Sequence, residues 1–550
     1  MLDVLAGSKT RSFGLIVGLA TALLALTACS GDDTPAAPVV HTVVVPVDRT
    51  VVVEATATAA PVVAPAARVS RVIVGHDEPY ALLSQINPYI GGRGVDLMGG
   101  SLYDRLTDLD GSLSPTPKLA TAWSANSDGT AWTFDLRKGV KFKNGQDFTA
   151  AAVVYSWRML LDEETAFFNA STAPGLNRDK IEAVGDHQVR FNLDSANFLF
   201  PILISNTQTI IVPDGATSAE LETTDIGTGP YIFESFTPNS EIWEWRKNPD
   251  YWEEVKTEEI SLQSIPDETA RIAALQTGQV DLITSIGGAV RVSQSQGLGA
   301  DPNVELLTGL PAVGITMEMN VEMAPYDDIK VRQAMKLIVD REFLADTVLQ
   351  GFALPGNDTP IPLTWSSTWR TDVPQQDIDA AKQLLAEAGY DEDNPLEIEL
   401  FAGDVHPGIM EMVQAFQEMA AEAGVKVNIL LAPKDQYWDF SGDKAFAVSA
   451  WGVRIPGLIY NLVYKCDHPW GSSPWCDKEF DSLVEAAELL ESPDERDVLY
   501  KQAGQILAEN GGLINPAFTL AIDAQRKECS GFVPPFPFYQ RVFNSFECVR

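Results

Sequence analysis

Apolar residues recur along this chain with two periods that alternate from one segment to the next. Val69, Ile73 and Val74 suggest a first strand near Arg68. Trp132, Phe134 and Leu136 alternate with polar residues, and Val140 and Phe142 follow after Arg137-Lys138-Gly139, which predicts a pair of strands turning at the glycine. Thr149 then stands where a helix would be capped, ahead of Val153, Val154, Trp157 and Leu161 at helical spacing. Further on, Pro266-Asp267 opens a helix through Ile272 and Leu275 that Gly278 stops, before a strand of Val280, Leu282 and Ile283. Asp328 precedes a stripe of Val331, Met335, Ile338 and Val339. Ser492, Pro493 and Glu495 read as a capping box leading into Val498, Leu499, Ile506 and Leu507 and ending at Gly511. Such switching between strand and helix periods predicts a mixed α/β fold, and the stripes read as core faces.

The N-terminal segment is patterned differently. Phe13 to Leu26 is apolar but shorter than the roughly 20 residues a spanning helix needs, and Lys9 and Arg11 precede it. Leu26-Thr27-Ala28-Cys29 matches a lipobox, so residues 1–28 read as a lipoprotein signal peptide and Cys29 as the lipidated N-terminus of an exported chain. Residues 29–67, rich in Val, Thr, Ala and Pro, read as a tether, because Pro46, Pro61 and Pro65 interrupt the valine runs.

Composition narrows the partners. The 76 acidic against 39 basic residues give a net charge of -37, which opposes binding to nucleic acid or to an anionic membrane surface. Of five cysteines, Cys466, Cys476, Cys529 and Cys548 remain once Cys29 is lipidated. Four cysteines in an exported chain suggest two disulfides; three connectivities are open, of which sequence proximity favours Cys466 with Cys476 and Cys529 with Cys548. A metal centre or other cofactor is not expected, since His468 is the only histidine near these cysteines and no zinc-type pair occurs. The rival class, a secreted hydrolase, finds no Gly-x-Ser-x-Gly, His-Glu-x-x-His or phosphate loop, although paired glycosidase carboxylates would leave no local motif.

Several segments taken in order carry a family resemblance. They include Ser101-Leu102-Tyr103-Asp104-Arg105-Leu106, Pro117 to Trp123, Trp132 to Phe142, Gly227-Thr228-Gly229-Pro230-Tyr231, Arg246 to Trp252, Ala273 to Gly278, Asp328 to Ala334 and Ala380 to Tyr390. The chain resembles the extracytoplasmic solute-binding proteins of peptide-type ABC importers, family 5. The resemblance implies a bilobed periplasmic-binding-protein-like clamshell with an additional subdomain. Lobe one would comprise 68–108, 226–318 and 513–550, the inserted subdomain 109–225, and lobe two 319–512. It also implies a monomer without enzymatic activity, anchored by lipid to the outer face of the cell membrane or in a periplasm. Such a protein binds a peptide or small-molecule ligand between its lobes and delivers it to an ABC permease and ATPase complex. A reporting role, in which the closed clamshell signals a ligand to a membrane partner, stays open.

In peptide-binding members the stretch resembling Ala450-Trp451-Gly452-Val453-Arg454 usually has an aspartate where this chain has Arg454, and in some members it pairs with the peptide's α-ammonium. Arginine offers only donors, so Arg454 would instead hold a carboxylate through paired charge-assisted bonds, or point to solvent. The ligand would then be an acid-bearing metabolite, a peptide in another register, or a non-peptide such as an oligosaccharide. Trp451 and Gly452 beside it, with Tyr437, Trp438 and Trp365, are the expected ligand wall. Trp369, Trp470 and Trp475 lie in the same half of the chain, and core packing is the plainer role for each tryptophan except Trp451.

Overall fold

The computed structural model describes residues 68–77, 100–111, 113–162, 176–205, 209–237, 242–285, 288–362, 372–433, 436–437, 443–468, 470–471, 473–534 and 543–550. The leader, Cys29, the tether, Trp365, Trp369 and Trp438 lie outside these residues. Among the described residues no helix is long and apolar enough to cross a membrane.

Strand β1 (Arg71–His76) opens the described chain. After a short pair, β2 (Thr107–Leu109) and β3 (Pro115–Pro117), comes a separate four-stranded sheet of β4 (Ala120–Ala125), β5 (Ala131–Leu136), β6 (Leu176–Gly185) and β7 (Gln188–Leu193), ordered β4-β5-β7-β6. Trp132, Phe134 and Leu136 of β5 are buried together with Val153 and Trp157 of helix Ala150–Leu160, as their spacing predicts. Thr149 does sit at the N-cap of that helix, but its hydroxyl makes no capping bond. The partner of β5 differs from the sequence expectation. β5 pairs with β4 and β7, whereas Val140 and Phe142 lie in a tight loop, where the Phe142 N–H donates to the Gln146 carbonyl at 2.9 Å. Both still enter the same core. Alternation reports which face of a strand is buried and leaves its neighbour undetermined.

The large sheet is built from β1 and ten later strands. These are β8 (Tyr231–Thr237), β9 (Ile242–Lys247), β10 (Glu259–Ser264), β11 (Leu282–Ile283), β12 (Val304–Met319), β13 (Ala353–Pro355), β14 (Glu397–Gly403), β15 (Lys426–Ala432), β16 (Phe446–Gly452) and β17 (Leu513–Arg526). Their order is β15-β14-β16-β12-β17-β11-β1-β10-β9-β8, with β13 pairing on β17. The long strands β12 and β17 run antiparallel from Val304 opposite Arg526 to Glu318 opposite Leu513. Their outer neighbours change along the way. Near Val304, β17 has β11 alongside; near Met319, β12 has β16 and β17 has β13. The register is irregular between Thr308, Pro311 and Val313. Lobe boundaries expected at 318/319 and 512/513 fall at the ends of these strands, whereas the change of neighbours falls within them.

Helix starts at Asp267 and Asp328 follow the signals in the sequence, whereas the box at Ser492 and one buried face differ. The Asp267 and Asp328 carboxylates accept from the Ala270 and Lys330 N–H groups, each at 2.8 Å, and so satisfy orphan donors at the starts of Glu268–Gln276 and Ile329–Leu337. Ser492 accepts from the Glu495 N–H at 3.4 Å, one direction of the expected capping box; the reciprocal box forms instead at Thr217 and Glu220. On helix Pro493–Asn510 the buried stripe is Arg496, Tyr500, Ala503, Gly504 and Leu507, so Val498, expected in the core, is exposed. Aliphatic character placed it in the stripe, but helical phase, set by Tyr500 and Leu507, turns it outward.

Cys466 is bonded to Cys476 and Cys529 to Cys548, the latter pair on the two-stranded β18 (Cys529–Ser530) and β19 (Glu547–Cys548). A fully buried ion pair joins the helical turn Arg341–Phe343 to the segment after β13, and Asp358 links both to β17. Arg341 Nη2 donates to both carboxylate oxygens of Asp358, at 2.9 and 2.7 Å, and Asp358 Oδ1 also accepts from the Asn515 N–H at 2.9 Å. Removing one partner leaves the other charge buried. Asp358→Ala is therefore expected to destabilise the protein by about 3–5 kcal/mol, read as a lowered denaturant midpoint, whereas a change below about 1 kcal/mol would contradict this assignment.

Candidate functional site

The candidate site grows from one face of β12. Ile315, Met317 and Met319 enter the large apolar core, so by strand alternation Thr316 and Glu318 point to the opposite face. On the neighbouring strand β16, Ser449 lies opposite Thr316 and Ala447 opposite Glu318. This face holds a carboxylate where the rest of the strand would suit an apolar residue. Glu318 is only 5 % exposed. Its Oε1 accepts from the Trp451 indole Nε1 at 2.6 Å and from the Thr316 hydroxyl at 3.1 Å.

A small pocket with room for roughly one water molecule lies against Glu318. Tyr464, Ser473, Trp475, Leu507 and Leu513 also line it. They come from four different elements. Pro456 starts the short helix Pro456–Ile459, which continues as a wider turn, Tyr460–Tyr464, and delivers Tyr464. Ser473 and Trp475 come from the loop closed by the Cys466–Cys476 bond. The Ser473 hydroxyl donates to the Met319 carbonyl at 2.9 Å, which fastens that loop to the end of β12. Leu507 comes from helix Pro493–Asn510, and Leu513 begins β17.

The residues expected at the ligand divide into three groups. Trp451 and Gly452 lie at the end of β16, and Trp451 is joined directly to Glu318. Arg454 is 8 % exposed, so it does not point to solvent; its Nη1 donates to the Gly452 carbonyl at 2.7 Å, and its guanidinium lies 5.8 Å from the Trp470 ring centre. Tyr437 is placed differently from the expectation. It is 0 % exposed, stacks on Phe401 at 5.2 Å and donates to the Val448 carbonyl, which makes it a packing residue in this arrangement. Trp438 and Trp365 lie outside the described residues. Reading the sequence missed Glu318, Tyr464 and Ser473. For Glu318 a signal was present: one glutamate interrupts the apolar run Val313 to Met319.

Burial drives the electrostatics. The Glu318 carboxyl is pushed above the ordinary carboxylate range by desolvation, with the hydrogen bonds from Trp451 and Thr316 partly opposing the shift. Tyr464 is held well above the ordinary phenol range by burial and then by the neighbouring Glu318. Among the described residues Asp281, Cys529 and Cys548 lie close enough together to suggest a metal site, but both sulfurs are spent in a disulfide and offer no thiolate. The raised Glu318 value has a definite sign. Protonated Glu318 favours the fold, so stability is fully present below the unfolded value of 4.5 and is lost as pH rises through the higher folded value. Glu318→Gln keeps the acceptor for Trp451 and removes the charge. Its melting temperature relative to the native protein is expected to rise as pH increases above 4.5, and a difference that stays flat as pH increases would contradict the buried-charge account.

With this geometry in hand, the chain can be set beside known proteins. Residues 114–469 match the family described as bacterial extracellular solute-binding proteins, family 5 Middle. Di/tripeptide-binding protein 1 of Pseudomonas aeruginosa is 28% identical over 486 residues, 82% of this chain and 89% of that protein. Heme-binding protein A of Haemophilus influenzae is 28% identical over 489 residues, 82% of this chain and 87% of that protein. The crystal structure of a dipeptide binding protein from Pseudoalteromonas sp. SM9913 in complex with Met-Leu matches with a TM-score of 0.73 at 25% identity, covering 86% of this chain and 99% of that one. The chain belongs to the family 5 bacterial extracellular solute-binding proteins and has their bilobed α/β fold.

Proposed function

We propose that this protein captures a short peptide or a closely related small polar solute and presents it to an ABC permease, binding without catalysis. The observation that carries the reading is the 28% identity to a di/tripeptide-binding protein over 82% of this chain. The disposition of Trp451 supports it. An indole half buried at the end of β16, beside the buried Arg454, offers an apolar wall next to a carboxylate-binding group. An acid-bearing solute that is not a peptide is the second reading, and the arginine at position 454 is what favours it.

Export and anchoring complete the proposal. The Leu26-Thr27-Ala28-Cys29 segment would carry lipid on Cys29, and the tether would let a monomeric binding domain reach a membrane permease. Two disulfides suit an oxidising compartment outside the cytoplasm. Lobe closure would pivot where β12 and β17 change neighbours, around Gly309-Leu310-Pro311 and Leu520. Lobe two would then begin about halfway along β12 and include the first part of β17.

Thermal unfolding against di- and tripeptides, their C-terminal amides, oligosaccharides and acidic metabolites tests the reading. A ligand at about 100 times its dissociation constant adds about 2.7 kcal/mol, a shift of a few degrees. Free-acid peptides are expected to shift the native protein more than their amides, and Arg454→Ala is expected to remove that preference. A shift confined to oligosaccharides would overturn the peptide reading; a peptide shift indifferent to both amidation and Arg454→Ala would overturn the role of Arg454.

A further inference from the structure

The short helix Phe200–Leu203 serves two cores at once. Phe200 and Ile204 enter the core of the four-stranded sheet, whereas Leu199 and Leu203 enter a second core built from helices Pro456–Ile459, Lys478–Glu488 and Pro493–Asn510. Each pair is spaced four residues, so two faces of one turn are apolar. The approach to the second core is close. A β-carbon added at Gly457 would meet Leu199 Cδ1 at 2.5 Å, and the Phe198 N–H donates to the Glu488 carbonyl at 3.2 Å. Leu113 joins the same core from the tip of the hairpin of β2 and β3, with a φ of 62°. A leucine is strained in that backbone region, and such tips ordinarily carry small or polar residues at the surface.

On its other side this unit is fastened by directed hydrogen bonds to residues 102–107 and 227. Arg105 Nη1 donates to the Ser205 carbonyl at 2.6 Å and the Thr107 hydroxyl to the Pro201 carbonyl at 3.2 Å. Lys143 Nζ donates to the Leu102 carbonyl at 2.8 Å, and the Lys143 N–H to the Gly227 carbonyl at 3.0 Å. Residues 102–107 and 227 fall in lobe one, whereas Gly457, Glu488 and Tyr500 fall in lobe two. A pivot at β12 and β17 would therefore carry the four-stranded sheet with lobe one and part it from lobe two.

We propose that Leu113, Leu199 and Leu203 form an apolar closure latch, which docks on the Gly457 and Tyr500 surface of lobe two when the clamshell closes and leaves it when the clamshell opens. Apolar contact is non-directional, so such a seam can part and re-form, while the buried hydrogen bonds on the other side hold the unit in place. The latch populates the closed state before solute arrives. Solute affinity scales with that population, so these leucines tune it from outside the solute contacts. The inference does not depend on which solute is bound.

Double electron–electron resonance on the ligand-free, full mature chain tests it, with spin labels at the exposed Ser127 and Gln502 attached by non-cysteine chemistry that spares the disulfides. The native protein is expected to show mainly the short separation. Leu199→Ala and Leu113→Gly are each expected to move the ratio of short to long separations about tenfold toward the long one, since burial of one leucine is worth roughly a decade in an equilibrium. Glycine suits the backbone at position 113, so that variant removes the side chain without adding strain. Melting curves measured alongside establish that both variants fold. Unchanged separations in both folded variants would overturn the latch and make the seam a permanent core contact. A native protein with the long separation alone would overturn closure before solute arrives. Neither result bears on the peptide reading, which the thermal shifts test separately.

Discussion

The antiparallel pairing of β12 with β17 is the constraint on which the rest of the structure depends. These strands cross from one set of sheet neighbours to another: β11 and β1 beside their lower parts, β16, β14 and β13 beside their upper parts. A ladder of this length holds two bodies in register yet bends where its bonding is irregular, and the irregularity at Thr308, Pro311 and Val313 lies at the crossing. Proline there removes a backbone donor, and Gly309 before it relaxes the backbone. In the proposed closure this combination would let the lobes reorient without breaking either core.

The same strand supplies the chemistry. β12 divides its side chains by alternation, so the methionines that anchor the core and the glutamate that faces the pocket differ only in parity. Burying a carboxylate on such a strand costs stability, and the indole of Trp451 and the hydroxyl of Thr316 offset part of that cost. A purely structural position would be better served by a leucine. The Cys466–Cys476 loop meets the same strand, since its serine is fastened to the last carbonyl of β12 and its tryptophan forms a wall of the pocket.

Much of this was legible in the amino-acid sequence, and the part that was not has a common cause. Local signals such as Asp267, Asp328 and the proline at position 493 marked helix starts because an N-cap depends on backbone donors within three residues of it. Motif order from Ser101 to Tyr390 pointed to the family, since those segments are spread along most of the chain. The partner of β5, the outward turn of Val498 and the core role of Tyr437 were not legible. Each depends on a neighbour distant in sequence, and one-dimensional periodicity carries no information about that neighbour.

The sequence by itself therefore determined the α/β class, the ends of several helices and the family. Only the tertiary structure decided that Glu318, Trp451, Tyr464 and Ser473 meet. These residues come from β12, β16, the turn after Pro456–Ile459 and the disulfide loop, and are separated by up to more than a hundred positions. Their chemistry is set by desolvation and by which donors are already engaged. Both are properties of packed neighbours, which exist only once the chain has folded.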